Sequence, residues 1–180
     1  MTKPEPGRIV DALYAHPEAV DAPLLYAILD GARNPRIAAA VVAFAPEHEC
    51  LYRGELDPAL AAAAPYLVRL DPKEQFVRFL ADQGWGDSWG IFMQSYAPLS
   101  DLRQHFRKFL MVYDPELKPL YFRYYDPRVL RVFLPTCNSA ELAGVFGPVE
   151  QYLLEDQDAV TMLSFSRRDG ALRRESLALA

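Results

Sequence analysis

Four proline steps divide this chain before any other feature is weighed. Asn34-Pro35, Asp57-Pro58, Asp71-Pro72 and Asp126-Pro127 each precede a segment of helix-like composition. An Asp or Asn side chain caps the free N–H groups that open a helix, and proline at the first helical position loses nothing by lacking its own N–H. In Asp71-Pro72-Lys73-Glu74 the glutamate stands three residues after the cap, where it completes a capping box. That spacing predicts a helix through Phe76, Val77, Phe79 and Leu80. A longer helix is predicted over Ser100–Leu110, with Leu102, Phe106, Phe109 and Leu110 on one face and Arg103, Arg107 and Lys108 on the other. His105 is assigned to the solvated side.

Between these helices lie short runs of aromatic and branched residues. They predict strands at Leu24–Leu29, Cys50–Arg53, Tyr66–Leu70, Gly90–Tyr96 and Leu120–Tyr125. Alternating strands and helices of this length point to an α/β protein, a mixed or largely parallel β-sheet covered by helices. The tail differs. Gln151–Leu154, Ala159–Ser166 and Ala171–Leu177 read as consecutive strands, and Asp169-Gly170 is a two-residue hairpin signal. Gly144-Val145-Phe146-Gly147-Pro148 is taken as the boundary, dividing an α/β body (1–147) from a β-rich C-terminal extension of the same domain (148–180).

The charge balance narrows the function. With 19 basic and 24 acidic residues the chain carries −5, which argues against nucleic acid as a partner, since neutralising phosphates needs a concentrated basic surface. Hydrophobic residues make up 51%, enough for a core without metal or disulfide support. Cys50 and Cys137 lie far apart, form no Cys-x-x-Cys pair and read as half-buried thiols. The first residues carry no apolar run of the kind that marks a secretory signal, and the longest apolar stretch, Ile37–Ala45, falls far short of the ~20 residues that span a bilayer. The expectation is a cytoplasmic protein with no membrane partner.

Catalytic signatures are missing: there is no His-Glu-x-x-His, no Gly-x-Ser-x-Gly and no phosphate-cradling Gly-x-x-x-x-Gly-Lys. The Gly84–Gly90 cluster has the wrong spacing for a dinucleotide site, and it follows a helix and precedes a strand, the reverse of the required order. Its Trp85 and Trp89 are assigned to core packing, with ligand stacking as the alternative. His16, His48 and His105 are scattered, and His48-Glu49-Cys50 has no second ligand pair to complete a metal site. It reads as the start of a strand.

The run Leu120-Tyr121-Phe122-Arg123-Tyr124-Tyr125-Asp126-Pro127-Arg128-Val129-Leu130 stands apart. As one strand it places Tyr121, Arg123 and Tyr125 on one side, then turns into a helix capped by Asp126 and opened by Pro127. Two readings compete. In the structural one, preferred, Arg123 pairs with a carboxylate, Asp30 first among candidates. In the functional one, Arg123, Tyr125 and Arg128 form a partner-recognition surface, since arginine and tyrosine anchor interfaces. A second candidate surface is the C-terminal hairpin, where Arg167, Arg168, Arg173 and Arg174 flank the Asp169-Gly170 turn. They serve either as a guard against edge-to-edge aggregation or as a docking patch for an acidic partner.

Five segments then occur in an order seen in one family: Leu25–Arg33, Leu51-Tyr52-Arg53-Gly54, Ala64–Val68, Trp89-Gly90-Ile91-Phe92 and Phe122–Leu130. The chain resembles the adaptor chaperones of the bacterial type VI secretion system, whose domain was long catalogued as one of unknown function. The resemblance spans roughly Leu24 to Val149. It implies a non-enzymatic cytoplasmic protein, without cofactor, that binds a secreted effector protein and promotes its loading onto the valine–glycine-repeat (VgrG) spike protein. It supplies no catalytic residues. Alternatives are a small hydrolase or transferase with an unrecognised site, or an immunity-type toxin-binding protein.

Overall fold

The computed structural model describes residues 3–15 and 21–179; His16 lies outside them. Along the chain run α1 (Pro6–Leu13), β1 (Leu24–Asp30), α2 (Arg36–Phe44), β2 (His48–Cys50), α3 (Pro58–Ala62), β3 (Pro65–Leu70) and α4 (Gln75–Phe79). A π-helical turn, Leu80–Gly84, leads to β4 (Gly90–Ser95) and α5 (Leu99–Arg107). Then come β5 (Met111–Tyr113), β6 (Pro119–Tyr121), α6 (Pro127–Phe133), α7 (Ser139–Phe146), β7 (Gln151–Glu155), β8 (Thr161–Arg168) and β9 (Ala171–Ala178). Seven strands form one sheet in the order β2-β3-β1-β4-β7-β8-β9, and β5 and β6 pair by themselves as a separate ribbon.

The predicted class holds: helices cover a sheet and the chain ends in β-strands. The sense of pairing does not. Every ladder is antiparallel. The crossover through α4 does join two parallel strands, β3 and β4, as the alternation implied. However, β1 lies between them and is antiparallel to both. This is a split β-α-β arrangement, in which parallel strands exist without a parallel ladder.

β1 is buried on both faces, which is why Leu25-Tyr26-Ala27-Ile28-Leu29 is apolar without a break. On one face Leu25, Ala27, Leu29, Val68 and Phe92 pack under α1, α2, α4 and the π turn. On the other, Tyr26, Ile28, Met93, Tyr152, Leu163 and Phe165 pack under α5, α6 and α7. The tail strands β7–β9 continue this sheet and contribute to both layers.

The caps act largely as predicted. Asp57 accepts from Leu60 N–H at 2.9 Å and Asp126 from Arg128 N–H at 2.9 Å. At Asp71 the helix begins later than expected: the carboxylate accepts from Lys73 N–H at 2.8 Å in a turn, α4 starts at Gln75, and Glu74 makes no cap bond. The capping box stands instead at Asn138 and Glu141, where it opens α7. The segment taken as a domain boundary is therefore the end of a helix, with Phe146 in the core.

Two further expectations are corrected. The predicted strand Leu120–Tyr125 ends at Tyr121, because the chain turns at Arg123 to set up the Asp126 cap. Tyr124 and Tyr125 are then both buried rather than on opposite faces. His105 is buried as well. Its Nε2 lies 3.0 Å from Val145 O, and its ring meets Phe106 and Phe109 edge-on.

Candidate functional site

Asp30 closes β1, and its side chain turns into the protein with 1% of its surface exposed. It accepts from Ala32 N–H at 3.1 Å and from the Arg123 guanidinium. Asp126 is almost as deeply set. Beyond capping α6 it receives Arg128 through two nitrogens, Nε at 2.9 Å and Nη2 at 2.6 Å. Burial by itself would raise the Asp126 carboxyl, but the hydrogen bonds from Arg128 and the charges of Arg128 and Arg123 outweigh it and hold the group below its usual range. The predicted pairing of Arg123 with Asp30 and the cap at Asp126 both stand.

The pairs are asymmetric. The Arg123 and Arg128 side chains remain 44% and 47% exposed over carboxylates that are almost wholly covered. Each guanidinium is thus fixed from behind while part of its fork faces solvent. Tyr125 is different. It is 3% exposed, burial pushes its hydroxyl well up, and it belongs to the core beneath the arginines rather than to their surface.

Beside the arginines stands the β5–β6 ribbon, joined through Tyr121, whose ring lies 5.8 Å from that of Tyr52. Met111, Val112, Tyr113, Leu117, Leu120 and Tyr121 are all exposed on it. Cross-strand pairing puts Met111 and Tyr121 on one face and Val112 and Leu120 on the other, so both faces are apolar. At the tip, Leu117 is 79% exposed and adopts φ +62°, the left-handed region that a bulky side chain enters only under strain. Residues 111–117 were not singled out in the sequence. Their signal is Met111-Val112-Tyr113 and Leu117 on either side of Asp114-Pro115, a hairpin with no polar alternation.

Trp85 and Trp89 pack into the core as expected, and Trp85 Nε1–H donates to Ala159 O at 2.8 Å. Their loop is held by Glu155, which accepts from Gly86 N–H and from Ser88 N–H, the latter at 2.9 Å. Cys50 and Cys137 are half-buried free thiols. His48–Cys50 forms the short strand β2, and no group of three His, Cys, Asp or Glu suited to a metal occurs among the described residues. None of the described helices is long and apolar enough to cross a membrane.

The four hairpin arginines do not share one surface. Arg168 pairs with Ala171 and Arg167 with Leu172, as the turn predicts. The pleat then sends Arg168 and Arg173 to one face and Arg167 and Arg174 to the other. Arg174 lies over the Phe165 ring and 3.7 Å from Asp156. This tip is at the opposite end of the sheet from Asp30, as the strand registers show.

A family profile described as Domain of unknown function (DUF4123) matches residues 25–144, two-thirds of the chain. The chain belongs to this family. The match runs from β1 to α7, so it holds Asp30, Arg123, Asp126, Arg128 and the whole apolar ribbon. Strands β7–β9 lie beyond it. No curated protein and no solved structure gives a significant match.

Proposed function

We propose that this protein is an adaptor of type VI secretion, which binds a secreted effector in the cytoplasm and promotes its loading onto the VgrG spike by non-enzymatic docking. Membership of DUF4123, a family associated with type VI secretion effector adaptors, supports the setting. The observation that carries the docking reading is the β5–β6 ribbon. An isolated two-stranded ribbon is marginal in water, and one with apolar side chains on both faces adds the cost of exposing them. A strained, exposed leucine at its tip gives nothing back to the fold. A partner that covers the ribbon recovers that apolar area. Arg123 and Arg128, held rigid by buried carboxylates, supply oriented donors at its base, the kind of contact that selects a partner.

The test is co-expression with the products of adjacent genes, followed by size-exclusion chromatography and calorimetry. A stoichiometric complex that is lost in Leu120→Ser/Tyr121→Ser, with the variant's fold intact, supports the reading. A complex indifferent to these changes overturns the ribbon as the docking element. No complex with any secreted protein or spike overturns the adaptor role.

A further inference from the structure

We infer that β9 is a strand-addition site, which takes an extended segment of a partner protein, acidic where it passes Arg168 and Arg173, basic where it passes Glu175 and apolar where it passes Leu177. β9 is the last strand of the sheet, and nearly all of Ala171–Ala178 is exposed. Leu179 N–H donates to Val160 O at 2.8 Å, which sets the phase of the ladder to β8. Hydrogen-bonded pairs then recur at every second position, so residues 171, 173, 175 and 177 spend their backbone groups on β8. The N–H and C=O groups of Leu172, Arg174 and Ser176 point away from the sheet. Long edges of this kind are ordinarily blunted by proline, a bulge or charged side chains. β9 has charges at Arg173, Arg174 and Glu175 but no proline and no bulge, and its register with β8 is continuous over eight pairs, so its backbone remains able to pair.

The side chains define what fits. On the face that carries Met162, the described residues leave an open trough of about 550 Å³ between β9 and the end of α1. Arg168 lines one end of it, with Arg173 on the same face of β9; Glu175 follows along that face, Glu150 lines the trough as well, and Met162 and Leu177 stand at the other end. Neither Arg168 nor Arg173 has an ion-pair partner among the described residues, whereas Arg174, on the opposite face, lies near Asp156. The trough side of an added strand therefore meets two positive charges, then the negative charge of Glu175, and then an apolar floor.

A second copy of this chain avoids like-charge contacts only in registers centred near the ends of β9, on Leu172, Ser176 or Leu177, where just part of the strand overlaps. Directly opposed residues of an antiparallel pair share a face, so twofold self-pairing sets one residue against its own copy. Centring on Arg173, Arg174 or Glu175 places like charges in contact, which is unfavourable. The inference stands independently of the adaptor reading, because it needs only the free edge.

The probe is a fluorescein-labelled synthetic peptide of about ten residues written to run antiparallel to β9, with valine, lysine, aspartate and aspartate, in that order, at alternate positions facing the trough and threonine between them. The expected result is a saturable rise in anisotropy and slowed amide exchange at Leu172, Arg174 and Ser176. The same peptide N-methylated at alternate, ladder-facing amides is expected not to bind, and its asparagine analogue to bind about tenfold more weakly. Ser176→Pro removes only an outward N–H, and is expected to keep the melting temperature and lose the peptide. Equal binding of the N-methylated peptide overturns the inference, as does absence of saturable binding. Sedimentation showing a dimer that Ser176→Pro dissociates overturns it too, in favour of a second copy.

Discussion

Asp30 shows how one buried charge organises its surroundings. Its carboxylate is covered, and the Arg123 guanidinium is its counter-charge. Removing the arginine leaves a buried anion uncompensated, whereas removing both charges does not. Arg123→Ala is expected to cost about 3 kcal/mol, against about 1–2 kcal/mol for Asp126→Ala, which removes a cap. Adding Asp30→Asn to Arg123→Ala is expected to restore part of the loss; chemical denaturation of the three variants measures this. His105 provides a pH dependence. Burial lowers its pKa below the ordinary 6.5, opposed in part by the bond to Val145 O. The unfolded chain therefore takes up the proton first as pH falls. This contribution is full above pH 6.5 and is lost as pH drops toward the folded value. His105→Gln is expected to flatten the fall in melting temperature between about pH 7 and pH 5.5. Gly147 at φ +46° lies so close that a Cβ there would strike the ring, so Gly147→Ala is expected to destabilise.

At the scale of elements, the ribbon and the tryptophan loop are opposites. The loop turns inward and is tied by Glu155, whose carboxyl is raised by burial against the pull of three hydrogen bonds. Glu155→Gln turns N–H toward N–H and is expected to cost about 1–3 kcal/mol, with a red shift of tryptophan emission as Trp85 and Trp89 loosen. The ribbon turns outward, and its tip is strained. Leu117→Gly is expected to stabilise the free protein by up to about 1–2 kcal/mol by relieving the left-handed backbone, while weakening association with the partner. A stabilised variant that binds as well as the parent removes the tip from the interface.

Across the whole molecule, the two proposed surfaces fall on opposite edges. The ribbon packs by Tyr52, just after edge strand β2, and β9 forms the other edge. Seven strands separate these edges by about 29 Å, from inter-strand spacings of roughly 4.8 Å. That geometry suits a protein that holds two others at once, and variants at one edge are expected to leave the other's binding unchanged. The sheet also makes the tail indispensable. Truncation after Gly147 removes the partner of β4 and strips Tyr152, Leu154, Leu163 and Phe165 from the core, so the fragment is expected to be insoluble.

Local chemistry determined what the sequence by itself could specify. Asp57-Pro58 and Asp126-Pro127 start helices because cap and proline act within four residues, and Asp169-Gly170 makes its hairpin for the same reason. The pairing of Arg123 with Asp30 was also accessible, since a charge in an apolar run needs a counter-charge. The stripe Leu102, His105, Phe106, Phe109 marks His105 as inward-facing, although its polarity suggested otherwise. Only the tertiary structure decided that β1 separates β3 from β4, so that a sheet expected to be mixed or largely parallel has antiparallel ladders, because strand order depends on burial across the whole sheet rather than on neighbours in the chain. It likewise decided that Tyr125 lies beneath the arginines while the ribbon stands clear, and that β9 is an edge, because exposure is settled by what the rest of the fold leaves uncovered.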